Sequence, residues 1–297
     1  MKITKMHGIG TDYVYVNGIE ETAPDPAALS RRVSDRHFGV GGDGLILIQP
    51  PEDANEADCR MEMYNADGSR AQMCGNGIRC VAKYVYDHGI CRRPTIRVQT
   101  DAGLRSLEVE TDADDKVTRV TVDMGAPTLT QRDVPARVTS NTDEPAVEVP
   151  LEVESIGTVT VTVVSTGNPH CIVRLGEHQP LPKTVDELPL AEIGRLFENH
   201  PAFPERINTE FIVTLSPTEF DFRVWERGSG ETLACGTGAC ASVVAGMLGK
   251  WSDREVTVHL RGGDLLIRVD EDSGHIFMTG SATEVFTAEL DDVWLRA

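Results

Sequence analysis

Lysine is scarce in this chain of 297 residues: six lysines stand against 22 arginines, while aspartate and glutamate together number 47. The net charge of -19 and the pI near 4.8 argue against nucleic acid as a partner, because its phosphates would be repelled. Acidity with little lysine is typical of a salt-rich cytoplasm, where ions screen the repulsion between like charges. An acidic, solvated surface on an ordinary mesophilic enzyme is the alternative interpretation.

Long apolar runs are absent as well. The two most apolar helical segments, 78–88 and 239–248, fall short of the roughly 20 residues that a membrane-spanning helix needs. No apolar leader follows Met1, so we expect no secretory signal. The seven cysteines show no spacing typical of a zinc site, and no phosphate-binding glycine loop points to pyridoxal phosphate. We therefore expect a cytoplasmic protein with reduced thiols, no metal and no membrane contact.

What the chain does have is one short pattern present twice, as Cys74-Gly75-Asn76-Gly77 and as Cys235-Gly236-Thr237-Gly238. Each cysteine follows a strand-like run and precedes an apolar helical run, so each thiol is predicted at a helix N-terminus. The N–H groups and partial positive charge there favour a bound carboxylate and lower the pKa of a thiol. Two thiols placed in this way suit chemistry on both faces of one carbon.

The elements around the two cysteines also follow the same order. In the first half we predict a helix, two strands, the cysteine helix and three strands, at 26–33, 44–49, 60–65, 78–88, 94–100, 103–110 and 117–124. In the second half we predict the same order at 185–198, 209–215, 220–226, 239–248, 255–260, 264–269 and 275–280. The first helix is expected to start behind Asp25 and Pro26.

This duplication predicts an α+β fold with two pseudo-symmetric lobes. Each lobe is expected to be a mixed β-sheet or barrel wrapped around a central apolar helix, since a helix that is apolar on every face must be buried. We place the N-terminal lobe at 1–127, completed by the last strand at about 282–297, and the C-terminal lobe at 128–281.

Polar residues occupy the strand ends that precede the two cysteines. Asn65 lies before Cys74, and Glu226 with Arg227 lies at the same spacing before Cys235. Strand ends that lead toward a helix N-terminus commonly bind ligands. Arg227 can hold a carboxylate with two hydrogen bonds, and Glu226 can accept hydrogen bonds from an ammonium group. Taken singly, Asn65 could simply begin a turn, and the Glu226–Arg227 pair could be an exposed strand end.

Two further polar segments, Gly167-Asn168-Pro169-His170 and 203–208, have turn chemistry that could account for them. A histidine near a reactive cysteine can tune its proton affinity, although a purely structural histidine is an equal alternative for His170. The remaining cysteines lack the glycine pattern and are interpreted as small apolar residues: Cys59, Cys80, Cys91, Cys171 and Cys240.

Taken together, the motifs resemble the diaminopimelate epimerase family. The matching segments are MHGIGTDYVYVN (6–17), RHFGVGGDG (36–44), MYNADGSRAQMCGNGIRC (63–80), STGNPHC (165–171), FPERIN (203–208) and WERGSGETLACGTGACA (225–241). The resemblance implies a cofactor-independent isomerase that interconverts LL- and meso-diaminopimelate, a precursor of lysine and of the cell wall. It also implies two lobes that close on the substrate, and a homodimer.

By position, the resemblance implies that Cys74 and Cys235 form the acid/base pair, with His170 in a supporting role. It implies that backbone N–H groups bind the substrate carboxylate, at Gly75, Asn76, Gly236 and Thr237. It implies that the rest of the substrate contacts Asn65, Asn168, Asn208, Glu226 and Arg227. Thr11 stands where the family usually has asparagine, so that contact becomes a hydroxyl bond or a water. Gly44 stands where some members have a substrate-binding glutamine.

Other functions remain compatible with these residues. In a racemase of proline or hydroxyproline, the distal partners Asn208, Glu226 and Arg227 would have nothing to bind, and the proline racemase family carries a histidine where this chain has Asn76. A Cys/His acyl hydrolase would need one thiol and His170. A redox-sensing binding protein would join the two motif cysteines in a disulfide and bind without turnover.

Overall fold

The computed structural model describes residues 1–296, which form two compact units. Lobe 1 comprises Met1–Asp123 and 279–296, and lobe 2 comprises Met124–Met278. Both are rich in strands and carry few helices, so the predicted two-lobed α+β fold is confirmed.

Lobe 1 begins with an alternation of strands and helices in which α2 follows Cys74. Its elements are β1 (Lys2–Gly8), β2 (Thr11–Asn17), α1 (Pro26–Ser34), β3 (Gly44–Gln49), β4 (Cys59–Asn65), β5 (Arg70–Ala71), α2 (Gly75–Asp87), β6 (Thr95–Thr100), β7 (Gly103–Thr111) and β8 (Val117–Asp123). As predicted, α1 starts behind Asp25, whose Oδ1 accepts a hydrogen bond from the N–H of Ala28 at 2.9 Å.

Lobe 2 follows the same order, preceded by one additional strand. Its elements are β9 (Val149–Val153), β10 (Gly157–Ser165), β11 (Pro169–Arg174), α3 (Leu190–Glu198), β12 (Asn208–Ser216), β13 (Glu219–Glu226), β14 (Gly230–Glu231), α4 (Gly236–Leu248), β15 (Glu255–Leu260), β16 (Gly263–Val269) and the first half of β17 (Ile276–Ser281). The chain returns to lobe 1 within β17 and continues there with β18 (Thr283–Glu289) and α5 (Asp292–Arg296).

The strand pairings repeat between the lobes. In lobe 1, β18, β1, β2, β3, β4, β6, β7 and β8 are joined in that order, with parallel pairs only at β2–β3 and β4–β6 among these. In lobe 2, β9, β10, β11, β12, β13, β15 and β16 are joined in that order, with parallel pairs at β11–β12 and β13–β15. The duplication read from the sequence is therefore a duplication of topology.

A helix lies at the centre of each lobe. α2 packs against β1, β2, β7 and β8, and α4 packs against β10, β11, β12 and β16. Both helices begin earlier than predicted, at Gly75 rather than 78 and at Gly236 rather than 239. Glycine is a poor helix former, which hid the true starts, but the preceding cysteine caps each helix.

The helix predicted at 185–198 is too long. α3 begins at Leu190, behind Pro189. Proline disfavours the helical conformation in the residue before it and is accepted mainly at a helix start. The segment ahead of Pro189 therefore forms turns.

Each lobe has its own apolar core, built for example around Val14 and Leu45 in lobe 1 and around Phe197 and Phe211 in lobe 2. Four of the five cysteines interpreted as small apolar residues are buried, and Cys91 is partly buried. Across residues 1–296, no helix combines the length and the apolar character that crossing a membrane requires.

Candidate active site

Both pattern cysteines cap a helix. Cys74 is the N-cap of α2 with φ -133° and ψ 121°, and Cys235 is the N-cap of α4 with φ -122° and ψ 103°. Each sulfur accepts a hydrogen bond from the main-chain N–H three residues further along the chain. Gly77 donates to Cys74 and Gly238 donates to Cys235, at 3.4 Å in both cases. The first turn of each helix thus presents N–H groups and a positive dipole end next to a thiol.

The first turn of α2 is fixed by a buried arginine that the sequence analysis missed. The Arg79 side chain is fully buried, and its Nη1 donates to Asn76 Oδ1 at 2.9 Å and to the carbonyl oxygen of Gly75 at 3.3 Å. Asn76 in turn donates from Nδ2 to Thr11 Oγ1 at 2.8 Å. Lobe 1 therefore brings Thr11, Asn76 and the capped end of α2 together.

Asn65 and Gly44 are directly paired across β4 and β3. The turn interpretation holds for the backbone, because Asn65 accepts from Gly68 N–H at 2.9 Å, and its Nδ2 donates to Ser69 Oγ at 2.9 Å. A Cβ added to Gly44 would lie 2.1 Å from the carbonyl oxygen of Tyr64. This position is closed to any side chain, so Gly44 can offer only its backbone.

Cys235 is 5% exposed and sits in an acidic environment. The helix N-terminus is expected to lower the pKa of this thiol, but burial raises it well above the ordinary value, and the carboxylates of Glu226 and Glu210 raise it further. Thr237 Oγ1 lies 3.4 Å from the sulfur. The Glu226 carboxylate accepts a hydrogen bond from the hydroxyl of Thr232, and burial raises the pKa of Glu226 as well.

His170 is held by two acceptors. Its Nδ1 lies 2.7 Å from Glu210 Oε1, and its Nε2 lies 2.8 Å from Asn168 Oδ1. Both His170 and Glu210 are completely buried. Ligand atoms of His170, Glu210 and Cys235 lie within 4.8 Å of one another. These residue types can bind a metal ion, but the hydrogen bonds of His170 already account for the arrangement with protein groups alone.

Asn208 joins three of the sequence motifs. Its Nδ2 donates to the carbonyl oxygen of Pro169 at 3.1 Å, and its Oδ1 accepts from the main-chain N–H of Arg227 at 2.9 Å. The guanidinium of Arg227 donates from Nη1 to the carbonyl oxygen of Glu205 at 3.0 Å. In lobe 2 these contacts tie the segments 165–171, 203–208 and 225–241 into one group.

Two acidic residues of this group escaped the sequence analysis. Glu210 is a charged residue inside an otherwise apolar strand, TEFIVTL, and that contrast was the available signal. Glu198 ends α3, and it accepts from Trp225 Nε1 at 2.7 Å and from Gly228 N–H at 2.8 Å. Glu198 therefore anchors the turn that carries Arg227.

The family model described as diaminopimelate epimerase matches residues 3–130 and 162–285. The chain is 51% identical to a diaminopimelate epimerase of Agathobacter rectalis, over 98% of this chain and 99% of the relative. It is 49% identical to one of Acetivibrio thermocellus, again over 98% and 99%. It is 47% identical to one of Methanococcus maripaludis, over 98% and 100%.

Solved structures of lower identity share the fold. A hydroxyproline epimerase from Agrobacterium vitis matches with a TM-score of 0.68 at 15% identity, covering 99% of this chain and 93% of the other. A probable proline racemase from Agrobacterium radiobacter matches with a TM-score of 0.68 at 14% identity, covering 98% and 93%. At these identities the likeness concerns the fold alone. The family model and the nearly full-length relatives are decisive: the chain belongs to the diaminopimelate epimerase family.

Proposed function

We propose that this protein interconverts LL- and meso-diaminopimelate by proton transfer at one α-carbon, with Cys74 and Cys235 as the acid/base pair and without a cofactor. The observation that carries the proposal is the repeated geometry of the two thiols. Each caps an apolar helix, and each accepts a helix N–H at 3.4 Å. A single-thiol enzyme has no use for two such ends, and a redox sensor would use both thiols but bind without turnover.

The chemistry requires both thiols in different protonation states. An amino acid α-proton is a weak acid, and the neighbouring carboxylate resists further negative charge. The thiolate removes the α-proton and becomes a thiol, while the other cysteine gives its proton to the opposite face and becomes the thiolate. Inversion then needs no rotation of the substrate, and the reverse reaction exchanges the two roles.

The helix ends stabilise the charge that develops on the substrate carboxylate. The N–H groups of Gly75 and Asn76 at α2, and of Gly236 and Thr237 at α4, are the donors that we assign to it. Fixed donors of this kind are worth about 3 to 4 kcal/mol each in other enzymes. Asn76 is 3% exposed and bonded to Arg79 and Thr11, so its backbone is held before the substrate arrives.

The distal end of diaminopimelate carries a second ammonium and a second carboxylate. We assign the ammonium to Glu226 and the carboxylate to Arg227, with Asn65 and Asn168 as further hydrogen-bonding partners. Asn168 Oδ1 faces His170 Nε2, which directs the Asn168 Nδ2 donors elsewhere. These charged partners favour diaminopimelate over the rival substrate proline, which lacks a distal amino acid group.

The hydrolase alternative is disfavoured by His170. A Cys/His hydrolase needs an imidazole nitrogen that accepts the thiol proton, but Nδ1 of His170 faces Glu210 and Nε2 faces Asn168. His170 therefore supports the geometry around Cys235 and does not serve as its base.

Incubation with LL-diaminopimelate in deuterated water tests the proposal. During the first turnovers the meso product should carry deuterium at one α-carbon, while recovered substrate still carries hydrogen. L-proline and trans-4-hydroxy-L-proline under the same conditions should show no exchange above that of buffer. Exchange and racemisation of proline, with diaminopimelate unchanged, would contradict the proposal and support a proline racemase instead.

We further propose that the enzyme works in the cytoplasm, where reducing conditions keep its seven cysteines as thiols, and that it is a homodimer. Sedimentation equilibrium tests the second point: a mass of one chain at assay concentrations would contradict it.

A further inference from the structure

A first difference between the lobes is the side chain that packs against the first turn of the cysteine-capped helix. A Cβ added to Gly77 in α2 would meet Ile46 Cδ1 at 2.9 Å, and a Cβ added to Gly238 in α4 would meet Glu210 Oε1 at 2.5 Å. Ile46 lies on β3 and Glu210 on β12, which are equivalent strands in the shared order. The same place therefore holds an apolar side chain near Cys74 and a carboxyl group near Cys235.

A second difference between the lobes is a positively charged side chain on the cysteine-capped helix of lobe 1. The helix position that carries the buried Arg79 in α2 carries Cys240 in α4. Arg79 holds its guanidinium at the first turn of α2, where it donates to the carbonyl oxygen of Gly75 at 3.3 Å. A buried cation next to that turn favours an anion at its N-cap, Cys74.

Glu210 is engaged on one oxygen only. Its Oε1 faces His170 Nδ1 at 2.7 Å, while its Oε2 has no hydrogen-bond partner among the described residues although the side chain is completely buried. Burial raises the pKa of Glu210, while the contact with His170 favours its carboxylate form. One of its oxygens lies within 4.8 Å of the Cys235 sulfur, and a negative charge so close and so poorly screened raises the pKa of that thiol. It disfavours a thiolate there.

Glu210 also determines what His170 can do. Because Nε2 donates to Asn168 Oδ1, the remaining nitrogen Nδ1 shares a proton with Glu210. The imidazole is thus not available to take a proton from Cys235 and form a thiolate–imidazolium pair. Without Glu210, Nδ1 could take up a proton and place an imidazolium near the thiol, which the Glu226 carboxylate also faces.

We propose that Glu210 is a positioning residue: by holding His170 and by its own carboxyl group, it keeps the proton on Cys235 in the unliganded enzyme, where Cys74 is the thiolate. The inference rests on the proposed function, in which the two cysteines are the acid/base pair. The polar groups that face Cys235 come from four elements, namely His170 on β11, Glu210 on β12, Glu226 on β13 and Thr237 on α4. The raised pKa of the Cys235 thiol agrees in direction with this assignment.

The pH dependence of alkylation tests it without substrate. The full-length reduced protein is treated with iodoacetamide at a series of pH values, and the peptides of Cys74 and Cys235 are quantified by mass spectrometry. The midpoint of each profile is compared, and not its plateau, because the two thiols differ in exposure. In the wild type the Cys235 midpoint should lie above that of Cys74.

Glu210→Gln keeps the shape of the side chain and removes its charge. The Cys235 midpoint should fall by at least about one pH unit, the lower end of what a nearby charge does to a pKa. The Cys74 midpoint, in the other lobe, should stay unchanged and is the internal control. In the double variant Glu210→Gln/His170→Gln, the part of the fall that comes from the lost carboxyl charge should remain, and only the part that depends on the imidazole should disappear.

Two results would overturn the inference: a wild-type Cys235 midpoint at or below that of Cys74, or an unchanged Cys235 midpoint in Glu210→Gln. The wild-type comparison stands even where a variant does not fold. None of these measurements needs turnover. A failure of the epimerase proposal would show in the substrate assays, while the midpoints would still report on Glu210.

Discussion

The side-chain oxygen of Asn208 accepts a hydrogen bond from the main-chain N–H of Arg227 at 2.9 Å. The amide nitrogen of the same side chain donates to Pro169 at 3.1 Å, and Asn208 is 2% exposed. One buried amide therefore fixes the backbone on either side of the proposed distal subsite.

Asn208→Leu should weaken both folding and substrate binding. The substitution keeps the approximate volume but leaves the buried carbonyl of Pro169 and the partly buried N–H of Arg227 without their partner. The buried carbonyl alone should cost about 1 to 3 kcal/mol. Urea denaturation should show the loss of stability, and steady-state kinetics should show a raised KM. Asn208→Asp keeps the acceptor for Arg227, so its stability and its KM should lie between those of the wild type and of Asn208→Leu. A Leu variant with wild-type stability and KM would contradict this role.

Arg227→Lys should lower kcat/KM for diaminopimelate, by an amount equivalent to a loss of about 1.5 to 3 kcal/mol in transition-state stabilisation. Lysine keeps the charge but loses the two-pronged hydrogen bond to a carboxylate. The matched control is Arg268→Lys, an exposed arginine of lobe 2 whose Nη1 lies 3.3 Å from Asp270. The control should keep wild-type kinetics. Equal kinetics for both variants would remove Arg227 from the substrate contacts.

Thr11→Val tests the hydroxyl that contacts Asn76 at the first turn of α2. Valine is nearly isosteric but cannot accept the 2.8 Å hydrogen bond from Asn76 Nδ2. The loss should be about 1 kcal/mol, or roughly fivefold in kcat/KM. The control is Thr118→Val, whose exposed hydroxyl donates to Glu110 at 3.2 Å. A Thr11 variant as active as this control would show that the hydroxyl is dispensable.

Cys59→Ala should reduce the amount of folding stability that is lost as the pH becomes alkaline. Burial raises the pKa of Cys59 to about 12, above the value of about 8.5 for an exposed thiol. The folded state therefore binds more protons than the unfolded state between these values, and its stability falls as pH rises through that window. At about pH 10 the titration of this single thiol should lower the free energy of unfolding by about 2 kcal/mol.

The measurement is urea denaturation in reductant at about pH 7.5 and about pH 10, on either side of the start of that window. The alanine variant loses packing at both pH values, so the comparison concerns the difference between them. That difference should be smaller in the variant than in the wild type. An identical difference would show that the Cys59 thiol does not titrate with folding.

The sequence predicts the features that rest on local signals. The caps at Cys74 and Cys235, the start of α1 behind Asp25 and the ten strands predicted around the two cysteine helices follow from periodicity and from residues close in the chain. Strands outside that order, such as β1, β2 and β9, were not predicted. The predicted start of α3 is wrong because the apolar spacing continues ahead of Pro189, where the proline prevents the helix.

The role of Glu210 could not be predicted in the same way. Its contact with His170 depends on the parallel register of β11 and β12, in which His170 pairs with Asn208 and Ile172 with Glu210. That register brings together residues 40 positions apart in the chain. The partners of Arg79 and the closure of Gly44 by Tyr64 likewise depend on packing, which a single sequence does not encode locally.

The central claim is that two thiols work as a pair, and the two alanine variants in deuterated water test it most directly. Cys74→Ala and Cys235→Ala should each lose epimerisation by several orders of magnitude. Each should retain exchange of the α-proton of one epimer only, with opposite preferences, because in the proposed mechanism the two thiols act on opposite faces of the α-carbon. Cys91→Ala, at a partly buried cysteine outside the two motifs, is the control and should epimerise normally. Near-normal epimerisation by either Cys74→Ala or Cys235→Ala would contradict the account.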